Sequence, residues 1–287
     1  MPAYSPTMRR RRLAAELRQL RESAAMTQED VAGQLEWDPS KLSRIENRQV
    51  GIIARDLRKL LDLYGVSGEG QREGYFAMAR EGKQRAWWQS YADVIPSEYG
   101  TLIGLEAEAA AISNYEQELV PGLLQTEDYA HAVIRATRPG DTPEDIARRV
   151  EVRMARQQAL ARDDAPRLWV VINEGAIRRA VGGPATMAGQ LRALAASRNR
   201  PVVTVQVLPF TSGEHQAMTG SFVILDFPAD DPGAVYLENA ASSLYLERPT
   251  DVTWYTEAFR FLQAAALGPK ESRDMLMAAA HELQPPT

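Results

Sequence analysis

Apolar positions in the first 66 residues recur at helical spacing, and capping and breaking residues interrupt them at intervals. Leu13, Leu17 and Leu20 share one face of a helix predicted over about 8–24, and Met26 closes its core. Thr27 is a good N-cap, and Asp30, three residues on, can reach back to it as in a capping box. Val31, Ala32 and Leu35 then face inward. Trp37-Asp38-Pro39 breaks the pattern. Proline cannot continue a helix but starts one well, so a second short helix begins at Pro39, capped by Asp38. Leu42 and Ile45 give it a buried stripe and leave Ser40, Lys41 and Arg44 on the opposite face. Leu57, Leu60, Leu61 and Tyr64 mark a helix over about 53–64, ended by Gly65. Residues 67–90 read as a bridging helix that ends at Trp87-Trp88, a pair suited to a core, a domain-interface wedge or a ligand cage.

Further along, 91–99 reads as a loop broken by Pro96, and 101–115 as a long helical pattern containing Glu106 and Glu108. Pro121-Gly122 signals a turn, and Thr126 can cap a helix over 127–137. Thr142-Pro143 opens a charged helix to about 162. Its Arg148, Arg149, Arg153 and Arg156 suit a solvated face first, salt bridges to another helix second and DNA third. After Pro166 the period changes. Runs at 168–172, 202–208, 221–227, 234–237 and 243–246 are β-branched or alternating, bounded by Gly, Pro and Asp. Between the first two, Gly182-Gly183-Pro184 precedes a helix to about 197, and helices over 251–266 and 269–283 close the chain. Helices, then sheet, then helices make this region α+β.

Two short helices joined by a tight turn, the second with an exposed polar face, form the geometry that reads base edges. TQEDVA, a turn and SKLSRIEN resemble the XRE (Cro/repressor-type) helix-turn-helix family over about 8–66. The resemblance implies a five-helix, repressor-like all-α domain followed by the larger α+β domain. It sets domains at 1–66 and 91–287, with 67–90 as linker. It puts the recognition helix, about 39–47, in the major groove of an operator in double-stranded DNA. Ser40, Lys41 and Arg44 would contact bases, Arg and Lys suiting guanine O6/N7. Gln28, Asn47 and Arg48 would contact phosphate, and Glu46 would tie the motif together. Two positions depart from the family pattern: Glu36 stands where a turn Gly is common, and Arg48 where a helix-ending Gly is. Arg9–Arg12 form a basic run at a helix start, unfavourable against the dipole. Arg10 and Arg11 therefore suit a phosphate backbone or a minor groove, the alternative being a solvated, frayed end. One head covers a half-site, so a homodimer is expected, its heads about 34–36 Å apart.

A second resemblance covers about 85–280. Trp-Trp, Leu-Glu-x-Glu-Ala, VPGLLQT, VINEGAIRRAVGG and VTVQVLPF are similar to the rear domain of WhiJ-like bacterial regulators. It implies a regulatory role and a small partner protein encoded nearby, in an arrangement likened to toxin and antitoxin. Three readings follow: a DNA-binding regulator modulated by that partner, a small-molecule-sensing regulator, or an antitoxin-like protein that sequesters a toxic partner and binds DNA only for autoregulation.

Composition narrows the class. A chain of 287 residues allows two domains, and 45% hydrophobic with 25% charged residues is the balance of soluble globular proteins. Residues 1–66 hold twelve Lys/Arg against nine Asp/Glu, a net +3, whereas the whole chain is −5; the remainder is therefore −8. The nucleic-acid footprint belongs at the front. No apolar run approaches membrane-spanning length, the Arg-rich start is not a secretory signal, and there is no cysteine for disulfide or thiolate chemistry. A cytoplasmic, nucleoid-associated protein is expected. His131, His215 and His281 have no metal-binding spacing, and nucleophile-elbow, phosphate-loop and dinucleotide fingerprints are missing. No catalytic set, metal or cofactor is expected, and no enzymatic activity. The polar loop 211–219 suits a lid or a surface hairpin, and Tyr236, Tyr245, Trp254 and Tyr255 a cavity or the core.

Overall fold

The structure is a computed structural model and describes residues 6–47, 50–81, 87–197, 200–228, 233–239 and 242–283. The chain divides near Gln89 into two compact units.

The front unit is all-α: α1 Pro6–Ser23, α2 Gln28–Leu35, α3 Pro39–Glu46, α4 Ala54–Leu63 and α5 Glu69–Glu81. Leu17, Val31, Leu42, Leu57, Leu60 and Leu61 are wholly buried in one core, so each short helix is held by its apolar stripe rather than by propensity. Tyr75 and Ala79 of α5 join that core. The stretch read as a bridge from 67 onward therefore begins inside the front unit, and Trp87–Tyr91 is a 3-10 turn.

Three helices of this unit end in a left-handed residue: Ala25 (φ 54°), Glu36 (φ 54°) and Gly65 (φ 72°). The next N–H closes back on the helix each time: Met26 to Arg21 O at 3.2 Å, Trp37 to Ala32 O at 2.9 Å and Val66 to Leu61 O at 2.9 Å. This is the Schellman ending, which glycine adopts without penalty and an L-residue does not. The turn survives Glu36 because this bond and the burial on either side of it hold the conformation.

The rear unit comprises α6 Ser97–Glu106, β1 Ala111–Glu116, α7 Glu127–Thr137, α8 Pro143–Arg156, β2 Arg167–Asn173, α9 Glu174–Arg178, α10 Pro184–Ala196, β3 Val203–Leu208, β4 Phe222–Asp226, β5 Ala234–Glu238, β6 Ser243–Leu246, α11 Pro249–Ala265 and α12 Pro269–Glu282. The strands form one mixed sheet in the order β3-β2-β1-β4-β5-β6. β1, β2 and β3 run parallel, and β4, β5 and β6 are antiparallel to their neighbours.

The helix expected over 101–115 stops at Glu106, and Ala111–Glu116 is a central strand instead. Ile112 and Tyr115 point to opposite faces and both are buried (1% and 0% exposed). Each face of this strand mixes apolar and polar residues, Ile112 with Asn114 and Glu116 on one and Ala111 and Tyr115 with Ser113 on the other, so the alternation that marks an amphipathic strand is lost. The sheet thus starts before α7, ahead of the helices expected to precede it. The 211–219 loop is not a hairpin either: β3 and β4, which it joins, are separated in the sheet by β2 and β1. Tyr115 faces α11 with Phe222 and Phe259. Asn114 and Glu116 point to the other face of the sheet.

Candidate functional site

In the front unit, α2 and α3 carry the expected caps. Asp30 N–H donates to Thr27 Oγ1 at 3.1 Å, and Thr27 N–H to Asp30 Oδ2 at 2.8 Å. Asp38 Oδ1 accepts Ser40 N–H at 2.9 Å, with Pro39 as the first helical residue. Leu42, Ile45 and Glu46 of α3 turn inward, leaving Ser40, Arg44 and Asn47 exposed.

Glu46 is the hub of the motif. Arg21 of α1 grips it with Nε to Oε1 at 2.8 Å and Nη2 to Oε2 at 3.1 Å. Gln28 of α2 donates to Oε2 at 2.7 Å, and Arg21 Nη1 also donates to Met26 O at 2.8 Å. One buried carboxylate therefore joins α1, α2 and α3. Its hydrogen bonds hold the Arg21 guanidinium more firmly protonated than usual, against the opposing effect of burial. Gln28, expected at a phosphate, spends an N–H on this hub.

Lys41 is also engaged within the unit. Its Nζ lies 2.6 Å from Asp56 Oδ2 and 3.9 Å from the centre of the Trp37 ring. Burial opposes ionisation of Asp56, but Lys41 and Arg55 outweigh it and hold the carboxyl below its ordinary range. Of the three residues expected at base edges, Ser40 and Arg44 are exposed and Lys41 is anchored to α4. Asn47 is exposed, its Nδ2 donating to Ser43 Oγ at 3.2 Å. Arg48 lies outside the described residues, as does the side chain of Arg10. Arg11 is 4% exposed, because α1 is helical through the arginine run and turns this residue inward one turn before buried Ala14. In this position the guanidinium faces the interior of the unit rather than solvent.

Arg55 was not singled out from the sequence. Its side chain is 75% exposed in the first turn of α4, beside Asp56 and hence next to α3. A basic residue in a first turn opposes the dipole, and that signal could have found it. Val50 and Ile53, both exposed, follow α3, and Val50 N–H returns to Arg44 O at 3.3 Å.

In the rear unit, side chains satisfy the backbone of the VPGLLQT segment. Tyr129 Oη accepts Val120 N–H at 3.1 Å, Gln125 donates to Val120 O at 2.7 Å, and Gln157 donates to Gly122 O at 3.1 Å and to Gln125 O at 2.7 Å. Gln190 accepts Thr126 N–H at 2.7 Å and donates to Leu124 O at 2.9 Å. A Cβ on Gly122 would sit 3.2 Å from Arg156 Nη1, so glycine leaves room for that guanidinium. Arg156 is buried and forms a two-bond pair with Glu106, while its Nη1 donates to Tyr99 Oη at 2.9 Å. The other α8 arginines are held as well: Arg148 on Asp93, Arg149 on Asp141 and Arg153 on Gln125. The face expected to be solvated first is a set of bridges within the unit.

His131 and His281 are exposed, and His215 Nε2 lies 3.4 Å from Tyr115 Oη, its pKa lowered by burial. Among the described residues no group of three or more His, Asp or Glu is placed to hold a metal ion, and no helix is long and apolar enough to cross a membrane.

Two family models match the chain. One, described as a helix-turn-helix domain, covers residues 12–73, and the other, described as Domain of unknown function (DUF5753), covers residues 99–278. No curated protein and no solved structure matches. The front unit is thus a helix-turn-helix domain, as befits a DNA-binding regulator.

Proposed function

As the chain belongs to the DUF5753 family and carries a helix-turn-helix domain ahead of it, we propose that it is a sequence-specific, XRE-type transcriptional regulator. It binds its operator as a homodimer and acts by binding, without catalysis. The observation that carries this reading is α3 itself: a capped helix locked from behind through Glu46, with Ser40, Arg44 and Asn47 exposed on its outer side. Arg44 suits guanine, Ser40 a neighbouring base edge, and Asn47 a phosphate. Arg55 adds positive charge beside α3.

The rear unit supplies the input. Its resemblance to WhiJ-like regulators supports modulation by a small partner protein encoded nearby, including the antitoxin-like variant. A small-molecule input is the second reading, favoured by polar side chains gathered on one face of the sheet.

Selection of randomised duplex DNA by the full-length protein, followed by gel shifts over a salt series, tests this function. The expected result is a pseudo-palindrome with half-sites about 10–10.5 base pairs apart, centre to centre, or a multiple of that, and an affinity that falls steeply with salt. Selection without sequence enrichment, or binding that is flat in salt, overturns it.

A further inference from the structure

The face of the sheet opposite α11 carries polar residues in cross-strand rows. Asn114 pairs with Val223, Val223 with Tyr236 and Tyr236 with Tyr245. One step towards the carboxyl end of β1 lie Glu116, its last residue, and Glu238, which pairs with Ser243. Tyr236 and Tyr245 pack with ring centroids 5.0 Å apart. Glu116, Tyr245 and Ser243 are half-buried and Glu238 is exposed, so the outer row reaches solvent.

The charges here are unbalanced. Arg156 is matched by Glu106, whereas neither Glu116 nor Glu238 is in an ion pair among the described residues. Burial raises the Glu116 carboxyl to about 7, and the two carboxylates repel one another across β4. Asn114 is 5% exposed, yet its Oδ1 has no hydrogen-bond partner. A buried acceptor without a donor costs stability unless something fills it. The row also lies where the winding of the sheet reverses: β1, β2 and β3 advance in one direction, and β4, β5 and β6 continue from the other side of β1.

We propose that Glu116, Glu238, Asn114 and the Tyr236–Tyr245 pair form a binding site for a small molecule bearing a primary ammonium group. Such a group carries three N–H donors for two carboxylates and an amide oxygen, and a positive charge for the carboxylates and the tyrosine faces. A quaternary ammonium matches the charge but has no N–H to donate. The site deepens the small-molecule reading of the rear unit and does not depend on how the front unit meets DNA.

The test uses the full-length protein with butylammonium, putrescine, spermidine and tyramine, read by calorimetric titration and thermal unfolding. Tetramethylammonium at equal ionic strength is the control. At least one primary amine should bind saturably and raise the rear-unit Tm by about 5–10 °C at a hundredfold excess over its Kd. Glu116→Gln, which preserves shape, and Asn114→Leu, which removes the orphan acceptor, should each weaken that binding tenfold or more. The proposal is overturned if no primary amine gives a saturable response, if tetramethylammonium does as well, or if Glu116→Gln binds unchanged. Gel shifts on the same samples report DNA binding separately, so a failed amine site and a failed operator reading are distinguishable.

Discussion

Arg21 and Glu46 stand 25 residues apart in sequence and meet in two parallel hydrogen bonds of 2.8 and 3.1 Å at the back of the recognition helix. The pair fixes α3 against α1, and Gln28 fixes α2 on the same carboxylate. Removing one partner leaves a buried charge uncompensated, which costs about 3–5 kcal/mol. Arg21→Met should therefore lower the front-unit transition strongly in urea unfolding, and Arg21→Met with Glu46→Leu should recover much of the loss. A double variant no better than the single one would mean that the pair contributes more than mutual neutralisation.

Lys41 and Arg44 sit one turn apart on α3 but have different duties. Lys41→Ala leaves buried Asp56 short of its main cation and should cost about 1–3 kcal/mol of front-unit stability. Arg44→Ala, at an exposed position, should leave stability within about 0.5 kcal/mol but cost about 1–3 kcal/mol in specific DNA affinity. Unfolding curves and gel shifts on both variants check the split. An unchanged specific affinity for Arg44→Ala would remove that residue from the reading head.

Glu36 occupies a left-handed conformation that glycine adopts without strain. Glu36→Gly should stabilise the front unit by about 1 kcal/mol, the steric cost of an L-residue there. Gly65→Ala should destabilise it by a similar amount, because Gly65 holds the same conformation at the end of α4. Equal stability of Glu36→Gly and the parent in urea would show that the Glu36 side chain contributes as much as its backbone costs.

Glu116 should make rear-unit stability depend on pH. The groups acting on it are Glu238, Arg156, Ser221 and Asn114, with Tyr129 also in its field. Its carboxyl is raised to about 7 in the fold, so between the unfolded pKa and that value the folded chain holds a proton that the unfolded chain has released. Stability is then complete below about pH 4.5 and falls as pH rises through 7. Glu116→Gln removes this decline, so its Tm advantage over the parent should be larger at pH 8 than at pH 5. A constant difference across that range would place the carboxyl near its ordinary value.

Much of the front unit was legible because its signals are local. The Thr27–Asp30 box, the Asp38-Pro39 start and the Gly65 end are caps that act within four residues, and the structure places each as expected. The role of Glu46 followed from family resemblance, but its partners did not, because Arg21 lies 25 residues away in another helix. Lys41 looked free for the same reason, since Asp56 is in another helix. In the rear unit Thr126 and Thr142-Pro143 marked their helices, whereas β1 passed for a helix because each of its faces mixes apolar and polar residues and so shows no alternation.

The sequence by itself determined what acts over short separations: the capped helical pair, the exposed side of α3, the later strands and the charge difference between front and rear. Tertiary structure alone decided which polar groups meet. It tied Lys41 to Asp56, turned Arg11 inward, paired Arg156 with Glu106 50 residues away, and set Glu116, Asn114 and Glu238 on one face at the reversal of the sheet. The physical reason is range. A cap or an apolar stripe is a relation between neighbours in the chain, while a buried charge acquires its partner only when strands and helices distant in sequence are packed together.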